Sequence, residues 1–462
     1  MLALRPRSLL AASLVVSGLA SYACGDEGGG DTPPGGDPEA GAPAETGAAD
    51  TATGDGPIVV DSSGDAEVDG DAPLLSPTFV HRDINQVLAT GQSLSVGALG
   101  TPALSTTQPY DNTMFVTGVL AGGVGLTSFK PLVEANVETM SSSFASLITK
   151  MAREVILVGQ PAGKTSHDLL LSAHGLGGTA YVGLKKGTVA YANGIAQAQA
   201  GHDLAVAAGK THVVRAVTNV HGESDSQDGN TMYEANLLEW QSSYESDVKA
   251  ITGQTEGIPM LHTQFSSWTR LAGVPTTSII PSAQLAAHVS APGKIILVGA
   301  KYHLPYVGDG VHLTNEGYRH MGEDYAKVYR RVILEGKTWE PIHPKAVTRA
   351  GAVITVKMHV PAPPLVMDTT IVSDPGNKGF EWAGGGETIA SVAITGPDTV
   401  VITLSAAPAA PGRLRYAFTG TAGALAGPMT GPRGNLRDSD ATPSRSGYPL
   451  YNWCVHFDRA VP

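Results

Sequence analysis

The stretch Val87-Leu-Ala-Thr-Gly-Gln-Ser-Leu-Ser-Val-Gly97 decides how this chain is read. Its short apolar run, Val87–Thr90, predicts a buried strand, and the Gly-Gln-Ser that follows predicts a sharp turn presenting the Ser93 hydroxyl at the strand's end. Far downstream, Asp309-Gly-Val-His312 runs into Leu313-Thr-Asn-Glu-Gly-Tyr318 at the mouth of a helical pattern. A serine hydroxyl is a poor nucleophile until an imidazole takes its proton, and a carboxylate orients that imidazole. Ser93, His312 and Asp309 together therefore predict acyl transfer to water through an acyl-enzyme.

Working outward, short apolar runs alternate with helical patterns over residues 77–339. Val87–Thr90, Val155–Gly159, Leu169–Ala173, Val213–Val220, Ile258–His262 and Lys294–Gly299 read as strands. Tyr233, Leu237, Trp240, Tyr244, Val248 and Ile251 fall at helical spacing, as do Tyr318, Met321, Tyr325, Val328 and Val332. Strands alternating with helices predict an α/β fold, a parallel sheet covered on both faces in three layers. Ligands of such sheets sit at the carboxyl ends of the strands, where Ser93 falls. From 340 to 462 the pattern turns to β-rich runs punctuated by Pro and Gly: Val353–Val360, Leu365–Val372, Ile389–Thr395, Thr399–Ser405 and Arg413–Phe418. This second part reads as a small β-sandwich.

The amino terminus has another character. Arg5 and Arg7 precede an apolar core, Leu9 to Leu19, and then Ser21-Tyr-Ala-Cys24, which reads as a secretory signal over residues 1–23. Cleavage before Cys24 would make that cysteine a lipidation site, although Ser21 stands where bacterial lipoprotein signals usually carry Leu. Residues 24–76 hold no Lys or Arg, few large apolar side chains and 13 acidic residues. Such a segment cannot bury enough surface to offset its ordering entropy and reads as a disordered tether. Without these acids and the two leader arginines, the net charge of −12 falls to about −1. A nearly neutral body lacks the basic face that nucleic acid would require. The expected location is outside the cytoplasm: a lipid-anchored protein of the bacterial cell envelope, or otherwise a periplasmic or secreted one, meeting the membrane only through the anchor. Cys24 and Cys454 are the two cysteines. With Cys24 lipidated, Cys454 has no disulfide partner; otherwise the two could pair in an oxidising compartment.

Four blocks in order carry a family resemblance: Gly91-Gln-Ser93, Gly175-Leu-Gly-Gly-Thr179, His221-Gly-Glu-Ser-Asp225 and Asp309-Gly-Val-His312. They resemble the SGNH (GDSL-like) hydrolases, and within them the branch of sialate O-acetylesterases and acetylxylan esterases, over residues 80–335. The resemblance implies an SGNH-type α/β/α sheet and a serine esterase acting on O-acyl, chiefly O-acetyl, esters of carbohydrates or other small esters, with no cofactor. Ser93 would be the nucleophile, His312 the base and then the acid, and Asp309 the group that fixes the imidazole tautomer. The backbone N–H groups of Ser93 and of Gly177 or Gly178 would hold the oxyanion. Gln92 and Glu223 would brace the site. The family's glutamine before Gly-Glu is His221 here, so a ring N–H of His221 or the amide of Asn219 would be the further oxyanion donor.

Plainer readings exist for each piece. Ser93 alone could be a turn serine capping a helix, and Asp309–His312 a loop ion pair; the four blocks together favour the triad. His174, His262 and His303 lie near predicted strand ends and are expected to be structural, while His303 and His320 are the rivals of His312 for the role of base. No pair of candidate ligands stands out at metal-binding spacing, so no metal is expected. Tyr416 and Trp453 could line a sugar site or pack a core. Arg413-Leu-Arg-Tyr-Ala-Phe418, Gly434-Asn-Leu-Arg-Asp438 and Leu450-Tyr-Asn-Trp453 resemble the chain ends of sialate O-acetylesterase-like proteins. A lipase, thioesterase or acyltransferase on the same triad, or a non-catalytic glycan-binding protein, are the competing classes.

Overall fold

The computed structural model describes residues 75–158 and 166–462. Its first strand, β1 (Ile84–Gly91), is buried from its second residue onward, Asn85 and Gln86 included, so it is covered on both faces. It lies at the centre of a seven-stranded sheet with β2 (Thr113–Phe115), β3 (Phe129–Pro131), β4 (Leu169–Ala173), β5 (His212–Val220), β6 (Met260–Gln264) and β7 (Ile295–Ala300), in the order β3-β2-β4-β1-β5-β6-β7. Every neighbouring pair is parallel except β2 with β3, so the sheet ends in one antiparallel edge strand.

Among the described residues six α-helices connect and cover it: α1 (Ser141–Met151), α2 (Val189–Ala207), α3 (Glu223–Gln227), α4 (Tyr233–Thr252), α5 (Ile280–Ser290) and α6 (Asn315–Tyr329). The alternation of β1 separates the two faces. Val87 and Ala89 join a core with Phe144, Leu147 and Ile148 of α1 and Tyr318, Met321, Tyr325 and Tyr329 of α6. Leu88 points the other way, into a core with Leu237, Trp240, Tyr244 and Val248 of α4. The helical spacing seen in the sequence is thus the buried stripe of α4 and α6.

One expected strand is corrected. Ala152–Ile156 continue α1 as a wider helical turn, so Val155 and Ile156 are helical; Gly159 lies outside the described residues. A short apolar run carries no period that separates strand from helix. Here the helix wins by burying Ala152 and Ile156 while Arg153 on the same turn bonds Asp168 at 2.9 Å and Asp111 at 2.8 Å.

Beyond residue 340 the chain forms β8 (His343–Ala350), β9 (Val353–His359), β10 (Val366–Met367), β11 (Phe380–Ala383), β12 (Ile389–Gly396), β13 (Thr399–Leu404), β14 (Gly412–Tyr416), β15 (Leu436–Arg437) and β16 (Phe457–Val461). These make antiparallel sheets of order β12-β13-β9-β8, β11-β14-β16 and β10-β15. Ile354, Val356 and Ile402 of the first meet Leu414, Tyr416 and Phe457 of the second in one core. The predicted Leu365–Val372 strand shrinks to β10, because the Asp368 carboxylate turns the chain by accepting from the amides of Thr370 and Ile371 at 2.8 and 3.1 Å. The same core takes in Leu285, Leu297, Ala300 and Tyr302 from the α/β layers. Gln264 at the end of β6 bonds both backbone groups of His456, donating at 2.9 Å and accepting at 2.6 Å. The α/β layers and the β-rich part therefore share buried surface and belong to one compact unit.

The predicted leader lies outside the described residues, as does the tether up to residue 74. Its last two residues belong to the folded body: Leu75 is buried in the first core and the Ser76 amide donates to the Leu334 carbonyl at 2.8 Å. No described helix is long and apolar enough to cross a membrane.

Several histidines are sealed in these cores, with a consequence for acid stability. Burial lowers His174 and His212 to about 4, and His262 and His456 to about 3. Below the ordinary histidine pKa of about 6.5 the unfolded chain takes up protons that the folded chain refuses. Stability is therefore constant above that pH and falls as pH drops toward 4, by up to about 1.4 kcal/mol per pH unit for each such histidine. Urea midpoints at pH 7.5, 6 and 5 should decline at both steps, more steeply over the last. An unchanged midpoint between pH 7.5 and 5 would contradict the burial of these rings.

Candidate active site

The four sequence blocks meet at the carboxyl ends of β1, β4, β5 and β7. At the end of β1, Gly91 has φ +125°, and an added Cβ would stand 2.3 Å from the Val220 carbonyl oxygen of β5. Only glycine lets the chain turn that closely beside its neighbour strand. Gln92 follows, buried, its amide donating to Val220 O at 3.1 Å. Its side-chain oxygen accepts from the Ser224 amide at 3.2 Å, so Gln92 ties the nucleophile turn to the third block, as expected of a bracing residue. Ser93 opens a 3-10 turn, Ser93–Val96. As the first residue of that turn its N–H has no intrahelical acceptor and stays available.

His312 reaches Ser93 from the loop after β7. Its Nε2 lies 2.7 Å from Ser93 Oγ, and its Nδ1 lies 2.6 Å from Asp309 Oδ2. The other Asp309 oxygen accepts from the amides of Val311 and His312 at 2.8 and 3.0 Å. Partial burial works to raise the Asp309 carboxyl, but the bonds from the His312 ring and from these amides outweigh it and hold its pKa below the ordinary value. An ionised Asp309 makes Nδ1 the protonated nitrogen and leaves the Nε2 lone pair for the serine proton. The sequence-predicted triad is thus assembled in full.

The loop bearing Asp309 and His312 is clamped at both ends and in the middle. Thr314 caps α6, accepting from the Gly317 amide at 3.1 Å, and its own amide donates to Pro305 O at 3.0 Å. Arg270 donates to the Asp309 carbonyl at 3.0 Å and to Gly423 O at 3.2 Å. Gly310, at φ +68°, has Leu425 so near that a Cβ would come within 2.7 Å of its Cα, and Gly310 O accepts from the Ala426 amide at 3.2 Å. Residues 423–426 belong to the β-rich part, which therefore holds the Asp309–His312 loop in place. Sequence reasoning missed Arg270 and this segment, since no pattern near either one points to the distant loop.

The second block folds against the nucleophile. Leu176 N donates to Gly91 O at 3.0 Å, and a Cβ on Gly177 would sit 3.7 Å from Ser93 Cβ. Gly177 is thus the glycine packed on the nucleophile, while the Cα of Gly178 faces open space.

The expected role of His221 is corrected. It is 1% exposed, with Nδ1 2.7 Å from the Tyr233 hydroxyl and Nε2 3.0 Å from the Thr179 carbonyl oxygen. A carbonyl only accepts, so Nε2 carries the proton and donates to Thr179, and Nδ1 accepts from Tyr233. No ring N–H is left for an oxyanion. What His221 does is pin the end of the Gly175–Thr179 turn. Asn219 also departs from expectation: its amide nitrogen is directed at Met260 Sδ, 3.6 Å away. The residue type at 221 permits donation; the neighbours Tyr233 and Thr179 consume it. His221→Phe removes the pin, and a turn displaced by even 1 Å should lower kcat by about 100-fold in a folded protein. Undiminished kcat would return the turn's placement to other contacts.

Glu223 is buried beneath the site, its Oε1 2.8 Å from Nζ of Lys301, which is itself fully buried at the end of β7. The brace expected of Glu223 is thus an ion pair tying the third block to the residue that follows β7, and Lys301 is a partner the sequence did not single out. The other candidates sort as follows. His174 bonds Gln197 at 3.1 Å and Tyr244 at 2.7 Å within the core, and His262 is likewise buried, so both are structural. His303 and His320 contact Asp324 rather than Ser93. Tyr416 and Trp453 are 0% and 2% exposed, so they pack the core and line no open sugar site. Cys454 is fully buried and its thiol is pushed up by that burial, while Cys24 lies outside the described residues.

No protein-family model matches this chain, and no curated protein sequence does. Solved structures do. The chain resembles a carbohydrate acetylesterase from Xanthomonas citri at 16% identity with a TM-score of 0.52, over 81% of this chain and 80% of that one. That share exceeds the α/β layers alone, so the common fold extends beyond them. Also similar are a protein from Arabidopsis thaliana (16% identity, TM-score 0.39) and a carbohydrate acetylesterase from Sinorhizobium meliloti (14% identity, TM-score 0.31), each covering 53% of this chain and 97% of its own.

Proposed function

We propose that this chain is a serine esterase that removes O-acyl groups, chiefly O-acetyl, from carbohydrates. The observation that carries the reading is the continuous hydrogen-bonded line Ser93–His312–Asp309, at 2.7 and 2.6 Å, on the carboxyl edge of a parallel sheet. Ser93 Oγ attacks the ester carbonyl as His312 Nε2 takes its proton. The carbonyl oxygen becomes an anion beside the Ser93 N–H and the Gly177 turn, and His312 returns the proton to the departing sugar oxygen. Water then repeats the sequence on the acyl-enzyme and releases the acid. Support for a carbohydrate ester comes from the fold shared with the Xanthomonas citri acetylesterase.

The test is hydrolysis of p-nitrophenyl acetate, butyrate and octanoate, followed by acetate release from acetylated polysaccharides. Rapid acetate turnover that declines with chain length supports the proposal. Preference for octanoate would instead point to a lipase or thioesterase, and no turnover from folded protein to a glycan-binding role. The same proposal places the protein outside the cytoplasm, anchored through Cys24, on the strength of the amino-terminal sequence. A fatty-acid label that persists in Cys24→Ser would sink the anchor.

A further inference from the structure

Apart from the triad, three metal-ligating side chains converge where the loop after β7 meets α6. His303 Nε2 lies 3.2 Å from Asp324 Oδ2, and His320 Nε2 lies 4.0 Å from the same oxygen. One ligand atom from each of the three falls within 4.8 Å of the others. We propose that His303, His320 and Asp324 form a binding site for a divalent transition metal ion, zinc above all.

The expectation that no ligands cluster at metal-binding spacing is corrected here. His320 and Asp324 are four residues apart on α6 and so share one face, and the fold adds His303, 17 residues upstream of His320. Two imidazoles and one carboxylate suit zinc, whose bonds of about 2.0–2.2 Å put tetrahedral ligands about 3.3–3.5 Å apart. The 3.2 Å separation already fits, and closing the 4.0 Å one and the widest, which stays within 4.8 Å, takes between about 0.5 and 1.5 Å.

A second observation points to a cation. The three residues are 7%, 7% and 9% exposed, and His320 Nε2 and Asp324 Oδ1 are buried without a hydrogen-bond partner among the described residues. His320 Nε2 lies 4.0 Å from Asp324 Oδ2, the oxygen that accepts from His303 Nε2 at 3.2 Å. Buried polar atoms without partners are costly, and a metal ion held between His320 Nε2 and the Asp324 carboxylate would satisfy them. His303 would exchange its Nε2 proton for the metal.

Aromatic rings hold both imidazoles in place. Tyr448 stacks on His320 at 4.7 Å and Trp453 on His303 at 5.8 Å. The nearby cation, Lys327, is engaged by Asp440 at 3.0 Å and Asn452 at 2.9 Å. Bound metal would join the loop after β7 to α6, bracing the segment that carries Asp309 and His312.

The experiment uses the untagged full chain, stripped with a chelator and titrated with Co²⁺ and then Zn²⁺ at pH 7.5. We expect visible cobalt bands that saturate at one equivalent and vanish as zinc displaces cobalt. His320→Gln and Asp324→Asn should each weaken binding by at least about 100-fold, since outer-shell changes alone cost up to that much. X-ray absorption of the zinc-loaded wild type should show two imidazoles and oxygen, a readout that does not depend on the variants folding. Absence of saturable binding at micromolar metal, full affinity in both variants, or a shell without imidazole would each overturn the proposal.

Discussion

Ser93→Ala is expected to lose about 10⁴- to 10⁶-fold in kcat while keeping the fold. Removing Oγ removes the proposed nucleophile but leaves a side chain of nearly the same size on a turn held by backbone bonds of Gly91, Gln92 and Leu176. His312→Ala should cost nearly as much, because Oγ, 2.7 Å from Nε2, has no other base in place. The double variant should be little worse than either single one, since the two act as a unit. Asp309→Asn should keep more residual rate than either. It retains a side chain able to meet Nδ1 but favours the wrong tautomer, because an amide can donate where the carboxylate only accepts. The measurement is kcat on p-nitrophenyl acetate, with circular dichroism and urea midpoints run alongside. A folded Ser93→Ala protein with more than a tenth of wild-type kcat would remove the proposed chemistry.

The largest loss of stability is expected from Lys301→Met. Lys301 and Glu223 are 0% and 3% exposed at the side chain and 2.8 Å apart, so each neutralises a charge that water cannot reach. Breaking such a pair by deleting one partner costs about 3–5 kcal/mol, because the other charge stays buried and uncompensated. Removing both costs far less. Lys301→Met/Glu223→Gln should therefore recover most of the unfolding free energy, whereas Lys301→Met alone should shift the urea midpoint strongly downward. Equal midpoints in the single and double variants would mean that the pair is solvated or that Glu223 is neutral. Activity should follow stability only in part, since Gln92 and Ser224 beside the pair hold the nucleophile turn by a separate bond.

Much of the architecture was legible because burial leaves a periodic trace. The stripe of α4, Tyr233 to Val248, and the apolar residues Val213, Val214, Ala216, Val217 and Val220 of the fully buried β5 each state which surface is covered. Where burial is partial or local, the trace fades. The strands β2 and β3 are three residues each and give no period, and Val155–Ile156 carry an apolar signature that a helical turn satisfies as well as a strand. Asp368 ended a predicted strand by folding its carboxylate onto the backbone two and three residues ahead, as Asp does in turns.

The candidate site divides along the same physical line. Ser93, His312 and Asp309 were readable because their chemistry demands those residue types, and because the Gly91 turn and the Asp309–His312 interval are short-range features of the chain. His221, Lys301, Arg270 and the His303–His320–Asp324 cluster were not. Their roles depend on partners 78 residues away for Lys301 and Glu223, 42 for His221 and Thr179, and 39 for Arg270 and Asp309. Residue type and local spacing set which groups a strand end can present. Which hydrogen bonds those groups are free to make depends on what the remainder of the fold places against them, and that information exists only after the chain has closed on itself.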